Sequence, residues 1–193
     1  MIYDITQELF ACMVFPGEPA PERRVLASIA EGAVCNVTAF SMCAHNGTHV
    51  DAPAHFIDGG RTVDQLPPEV FAGDCWVQRH TGEVSAADAE VILRNAEAAG
   101  AAKRILIAGK ATLTAEAAQV FAAAKLLLYG NESQTVGPEN APMAVHLILL
   151  GADMALLEGV VLTGVETGKY FLSAAPMNLA GADGAPCRAL LIR

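Results

Sequence analysis

The feature that most constrains the fold is the alternation of apolar strands with alanine-rich helices along residues 74–129. The first helix is predicted to begin after Ser85, which forms a capping pattern with Asp88, and to end before Gly100. The predicted order is strand 74–78, helix 86–99, strand 104–108, helix 114–124 and strand 125–129. Strands separated by helices pair in parallel, with a crossover over one face of the sheet. This segment therefore predicts a mixed α/β fold.

The flanking segments extend this prediction without adding a second domain. Strands are predicted at 2–5, 34–42, 154–157, 170–177 and 188–192, and a short helix at 142–150. The helix carries His146, the strand 34–42 leads into His45, and the strand 154–157 delivers Glu158. No repeat or low-complexity linker divides the 193 residues, a length that suits one core. We therefore predict a single mixed α/β domain over residues 1–193.

Composition excludes several classes of function. A formal charge of −9, with only 12 scattered Lys and Arg residues, disfavours nucleic acid as a partner. The longest nearly uncharged stretch, 141–157, is too short and too interrupted to span a bilayer. The N-terminus lacks the pattern of a secretory signal, which predicts a cytoplasmic location. The five cysteines never form a C-x-x-C pair, so we expect reduced, mostly buried thiols without disulfides.

Three of the five histidines lie within residues 45–55, in the spacing H-x3-H-x-D-x3-H. Imidazole nitrogens and a carboxylate at short separation are the donors that Zn(II), Mn(II) or Fe(II) accept. Gly47 allows a tight turn after His45, and an extended backbone would direct His49 and Asp51 to the same face. A lone histidine more often satisfies an ordinary polar contact. Four candidate ligands in eleven positions instead favour a metal site formed by His45, His49, Asp51 and His55.

Two further residues carry polar groups inside apolar runs. His146 lies in the run MAVHLILL and Glu158 in the run ALLEGVVL. An ionised group in such surroundings is costly unless it is paired or binds a metal. A cation shared with Asp51 would account for both residues, although a helix cap or a buried hydrogen bond would account for either one alone.

With these residues in view, the chain resembles the cyclase family of metal-dependent hydrolases, typified by kynurenine formamidase and isatin hydrolase. The family motif H-x-G-T-H-x-D-x-P-x-H stands at residues 45–55 without a mismatch. The likeness continues at residues 3–6 and 15–17 near the start and at residues 186–189 near the end. It therefore extends over nearly the whole chain.

The resemblance implies roles for six residues. It implies that His45, His49, Asp51, His146 and Glu158 bind one or two divalent ions, Zn2+ or Mn2+, with Asp51 bridging, and that His55 is the catalytic acid and base. It also implies a β-barrel-like core of the swivelling β/β/α type and assembly into homo-oligomers, dimers or tetramers. The implied activity is hydrolysis of a carbon–nitrogen bond in a small-molecule amide, formamide or cyclic amide by metal-activated water.

Two alternatives stay open at this point. The same ligands could serve a non-catalytic module that binds metal or a small ligand, or a metal-dependent lyase or dehydratase. His55 is not needed merely to hold a metal, and its presence favours the hydrolase. The sequence departs from the family pattern at residues 109–112, where the family's loop tends to shape the substrate pocket, and at residues 130–134. The natural substrate is therefore not assigned from the sequence.

Overall fold

A computed structural model describes residues 1–193 and contains one large sheet with helices on one face. The strands are β1 Ile2–Asp4, β2 Glu22–Ala27, β3 Val37–Ser41, β4 His49–Asp51, β5 Ala72–Arg79, β6 Gly82–Val84, β7 Arg104–Ala108, β8 Ala111–Leu113, β9 Leu128–Asn131, β10 Ala155–Glu158, β11 Gly168–Ser173, β12 Gly184–Pro186 and β13 Leu190–Ile192. The helices are α1 Ala86–Ala98, α2 Ala115–Ala123 and α3 Met143–Gly151. The predicted mixed α/β fold is confirmed.

Nine strands form a curled half-barrel in the order β1-β13-β11-β5-β7-β9-β10-β4-β12. The central strands β5, β7, β9 and β10 run parallel, as the alternation of strands and helices predicts, and the outer pairings are antiparallel. Strand β4 therefore lies between β10 and β12, with both partners antiparallel to it. This position brings the histidine motif beside the carboxyl ends of the parallel strands.

Two apolar cores lie on opposite faces of the sheet. The strand β7 is buried along its whole length, with Leu106 in one core and Ile105 and Ile107 in the other. The second core also contains the buried faces of all three helices, including Phe121 of α2 and Leu149 of α3. Burial of both faces explains why β7 reads as a continuous apolar run.

Local signals fix most element ends. Ser85 and Asp88 form the predicted capping box of α1, and the Thr114 side chain caps α2. The predicted strand 125–129 begins later than expected, at Leu128, because Lys125 adopts a left-handed conformation (φ 53°) at the end of α2. Between β7 and α2 lies the short strand β8, which was not predicted from the sequence and which pairs with β6.

The predicted strand 34–42 is shorter in the structure and does not join the large sheet. It contributes β3, which pairs with β2 in a separate two-stranded ribbon whose residues are mostly exposed. A turn follows β3, so His45 lies in that turn and not at the strand end.

Two predictions from composition can be compared with the structure. All five cysteines are free, as expected, but only Cys75 is buried and Cys35 is exposed. None of the three helices combines the length and the apolar character needed to cross a bilayer. The cytoplasmic location stays a prediction.

Candidate metal and active site

The six predicted site residues come from five elements, and the last of them, His55, ends the short 3-10 helix Pro53–His55 that follows β4. His45 lies in the turn before β4, where Gly47 adopts a left-handed conformation (φ 64°), as the predicted tight turn requires. His49 and Asp51 are the two ends of β4. Glu158 ends β10 directly opposite His49 in the antiparallel register, and His146 projects from α3.

The structure brings the five predicted metal ligands into one buried cluster, in which no residue is more than 8% exposed. The Asp51 Oδ1 atom lies 2.8 Å from His45 Nδ1 and 3.2 Å from His49 Nε2. The Glu158 carboxylate contacts His49 as well, with Nε2 at 3.5 Å, and it also contacts His146, with Nε2 at 3.2 Å. Residues separated by more than a hundred positions in the sequence therefore share one centre.

Backbone hydrogen bonds orient two of these rings. His49 Nδ1 lies 3.0 Å from the Gly47 carbonyl oxygen, and His146 Nδ1 lies 2.9 Å from the Pro142 carbonyl oxygen. A carbonyl can only accept, so each Nδ1 carries a hydrogen and donates it. In the neutral rings the lone pair is then on Nε2, the atom that faces Glu158. A bare nitrogen opposite a carboxylate oxygen is stable only if a proton or a cation lies between them.

The contacts of the Asp51 carboxylate within the protein leave one of its oxygen atoms unpaired, and a metal ion would supply the missing partner. The Oδ2 atom of Asp51 is buried and has no hydrogen-bond partner. Asp51 also belongs to two sets of donor atoms that lie within 4.8 Å of one another, one with His45 and His55 and the other with His49 and Glu158. Two carboxylates among neutral imidazoles carry a charge that a divalent cation balances. The donor set therefore fits one ion or two ions that share Asp51.

The electrostatics of the cluster favour positive charge. Burial by itself disfavours a charged imidazole, but the carboxylates of Asp51 and, to a smaller extent, Asp183 outweigh it and raise the pKa of His45 to about 9. Asp51 and Glu158 likewise outweigh burial and raise the pKa of His146 to about 10. The pKa of Asp51 is held well below its usual range, because the imidazoles outweigh its burial. The cluster therefore binds protons or a metal cation in preference to being neutral.

His55 lies at the edge of the cluster and is more accessible than the three histidines within it. Its side chain is 26% exposed and its ring stacks on His45 at a centroid distance of 4.1 Å. It lines a cavity of about 190 Å³ together with Phe15, Phe56 and Thr135, and the cluster residues except Asp51 line the same cavity. Phe56 stacks on the ring of His146 at 4.6 Å. His55 therefore faces the space in which a small molecule would contact the cluster.

Two residues that were not predicted from the sequence, Gln134 and Asp183, hold this arrangement. The Nε2 atom of Gln134 donates to the carbonyl oxygens of His45 and Gly47, at 2.8 and 3.1 Å. The Asp183 carboxylate contacts His45 Nε2 at 2.9 Å and His55 Nδ1 at 3.2 Å. Only the pairing of β12 with β4 brings Asp183 here, and no signal in the sequence pointed to that pairing.

Comparisons with known proteins agree over most of the chain. The family model named Cyclase matches residues 3–169. A kynurenine formamidase from Sphingopyxis alaskensis is 34% identical, and the alignment covers 98% of this chain and 97% of that protein. A solved structure described as a potential metal-dependent hydrolase with cyclase activity has a TM-score of 0.80 at 26% identity, over 99% of this chain and 96% of that one. Isatin hydrolase A from Labrenzia aggregata shares the fold, with a TM-score of 0.80 at 22% identity over 99% of this chain and 93% of that one.

Proposed function

This chain belongs to the Cyclase family, and from that premise we propose that it is a metal-dependent hydrolase of a carbon–nitrogen bond in a small amide or formamide. The observation that carries the proposal is the convergence of imidazole nitrogens and carboxylate oxygens on one buried centre. Nothing else in the structure requires two carboxylates and three imidazoles to share a buried space.

The proposed ligands are His45, His49, Asp51, His146 and Glu158, and the proposed ions are Zn2+ or Mn2+. A divalent cation supplies a Lewis acid for a carbonyl oxygen and makes water acidic enough to act as a nucleophile near neutral pH. The residues themselves hold the donor atoms in place. The Gly47 and Pro142 carbonyls fix two imidazole rings, and the amide of Val136 donates to Glu158 Oε1 at 2.8 Å.

We propose His55 as the general acid and base. Its position beside the cavity allows it to take a proton from water and pass one to the departing nitrogen. An imidazole suits this task because its ordinary pKa lies near neutrality. The same ring also lies near enough to Asp51 and His45 to bind a metal, so the two roles have to be separated by experiment.

Two observations support the proposed substrate class, the similarity to a kynurenine formamidase and the cavity beside His55. A kynurenine formamidase at 34% identity supports a formamide or a related amide. A cavity of about 190 Å³ with Phe15 and Phe56 in its wall suits a small substrate with an apolar portion. The alternatives, a binding module or a lyase, lack comparable support, since the relative that is 34% identical is a kynurenine formamidase.

We also propose that the protein forms a homo-oligomer. The ribbon of β2 and β3 is mostly exposed on both faces, and its apolar side chains include Val25, Leu26 and Phe40, each more than half exposed. An isolated two-stranded ribbon is marginally stable in water, so cover by a second copy would stabilise it. Light scattering on the purified chain would measure the mass of the oligomer.

The test of the proposed function combines metal analysis with a substrate panel. The protein is purified without chelator, its metal content is measured, and turnover of N-formyl arylamines, cyclic amides and simple esters is followed with and without EDTA. We expect bound zinc or manganese and EDTA-sensitive hydrolysis of at least one formamide or amide. Bound metal without EDTA-sensitive turnover would favour the binding module, and elimination of water or another group from a substrate would favour the lyase.

A further inference from the structure

Asp183 lies immediately before β12 and is held next to β4 by the backbone. The amide of Ala52 donates to the Asp183 carbonyl oxygen at 2.8 Å, and Gly184 lies opposite Asp51 in the sheet register. A Cβ atom at Gly184 would approach His45 Cε1 to 2.7 Å, so glycine is required at this point for the chain to pack against the imidazole. The Asp183 side chain is thereby directed to the histidines.

One carboxylate oxygen of Asp183 serves two histidine rings. Its Oδ2 atom lies 2.9 Å from His45 Nε2 and 3.2 Å from His55 Nδ1, and the two rings stack with an interplanar angle of 29°. An ionised carboxylate only accepts hydrogen bonds, so both of these ring nitrogens carry a hydrogen. Nδ1 of His45 also faces a carboxylate, that of Asp51, so a metal bound beside Asp51 would take the place of the Nδ1 hydrogen while Asp183 keeps the hydrogen on Nε2. Asp183 thus favours the hydrogen on Nε2 of His45 and on Nδ1 of His55.

The remaining nitrogens face the two halves of the site. On His45 it is Nδ1, which lies 2.8 Å from Asp51 and inside the metal-ligand cluster. On His55 it is Nε2, the nitrogen that is free to exchange a proton with a molecule in the cavity. A carboxylate that binds the far nitrogen of an imidazole fixes its tautomer and raises its basicity.

We propose that Asp183 is a positioning residue that fixes the tautomers of His45 and His55, so that His45 presents Nδ1 to the metal and His55 presents Nε2 to the substrate. The proposal rests on the proposed function for its consequences in catalysis, but the tautomers themselves do not depend on it. The Asp183 carboxylate also links a proposed metal ligand, His45, to the proposed general acid and base, His55. Loss of that carboxylate should therefore affect metal affinity and turnover together.

The first experiment measures the tautomers directly on the full chain loaded with zinc, which is diamagnetic. Long-range proton–nitrogen correlation spectra of imidazole-labelled protein identify the protonated nitrogen of each ring. We expect hydrogen on Nε2 of His45 and on Nδ1 of His55. Hydrogen on the opposite nitrogen of either ring in the wild-type protein would overturn the proposal without any variant.

The second experiment uses Asp183→Ala, with Asp74→Ala as the matched control. Both side chains are 49% exposed, and Asp74 pairs with Lys169 on the surface and lies outside the site cavity. In Asp183→Ala we expect His55 to lose its single tautomer, zinc to bind about tenfold more weakly, and kcat to fall by about 10- to 100-fold with KM changed less than about threefold. Asp183→Asn retains an acceptor oxygen and should recover the tautomer and part of kcat.

The outcomes separate this proposal from the proposed function. A single unchanged His55 tautomer together with unchanged zinc affinity in Asp183→Ala would overturn the role of Asp183. If the wild-type chain hydrolysed no amide, the proposed function would fail, but the tautomer spectra and the zinc affinity would still decide whether Asp183 positions the two rings.

Discussion

Replacing Asp51 by Asn tests the centre of the site with the smallest change in shape. Asparagine is isosteric but neutral, and its amide nitrogen is a donor that repels a cation. Asp51 is buried, contacts His45 and His49, and belongs to both sets of candidate donors. The substitution should therefore weaken metal binding by both sets of candidate donors, and not by only one of them.

The size of the effect follows from the number of donors. Structural zinc sites bind with apparent free energies of about 10–16 kcal/mol. Shared among roughly four donors, this is about 2.5–4 kcal/mol for each donor. At about 1.4 kcal/mol per tenfold change, loss of the Asp51 carboxylate should weaken zinc binding by roughly 10²- to 10³-fold.

The assay is competition for zinc against a chromogenic chelator, with Asp74→Asn as the control for loss of a surface carboxylate. Circular dichroism of each variant establishes that the fold is retained. We expect the control to bind zinc as the wild type does. Zinc affinity in Asp51→Asn within threefold of the wild type would refute the assignment of Asp51 as the central ligand.

Four further outcomes can be measured separately. In His55→Ala we expect kcat to fall by about 10²- to 10⁴-fold while metal content stays that of the wild type; loss of metal would instead identify His55 as a ligand. Because neighbouring carboxylates outweigh burial and raise the pKa of His45 to about 9 and that of His146 to about 10, these rings carry protons at neutral pH in the metal-free protein. Metal binding should displace those protons, so affinity should fall as the pH is lowered, and calorimetry in two buffers should detect proton release; binding that is independent of pH would contradict this. Arg104 is buried and donates to the carbonyl oxygens of residues 69, 70 and 74, so Arg104→Met should lower the free energy of unfolding by about 3 kcal/mol in urea titrations; a loss below about 1 kcal/mol would contradict that estimate. Phe40→Glu in the exposed ribbon should reduce the particle mass in light scattering, and an unchanged mass would exclude that face as the interface.

The local part of the site could be predicted from the sequence because its residues are close along the chain. Gly47 allowed a tight turn after His45, and an extended backbone would direct His49 and Asp51 to the same face; the turn and the strand are both present. His146 and Glu158 were recognisable because a polar group inside an apolar run needs a partner. In each case the signal depended on residues within a few positions of the one in question.

The rest of the site depends on strand order, which periodicity does not determine. Asp183 lies in a segment rich in Gly and Ala, residues 178–187, for which no helix or strand was predicted, and only the antiparallel pairing of β12 with β4 brings it to His45. The prediction that β3 leads directly into the site failed for a related reason. Its alternating pattern indicates a strand but does not identify the partner, and the partner is β2 in a separate ribbon.

The most direct measurement is a crystal structure of the chain grown with zinc, with anomalous data collected on both sides of the zinc absorption edge. We expect an anomalous peak between Asp51 and Glu158, with His49 and His146 nitrogens about 2.0–2.1 Å from the ion. A second peak beside His45 and Asp51 would establish a pair of ions. Zinc bound elsewhere on the protein, with the five side chains still in contact only with one another, would contradict the account.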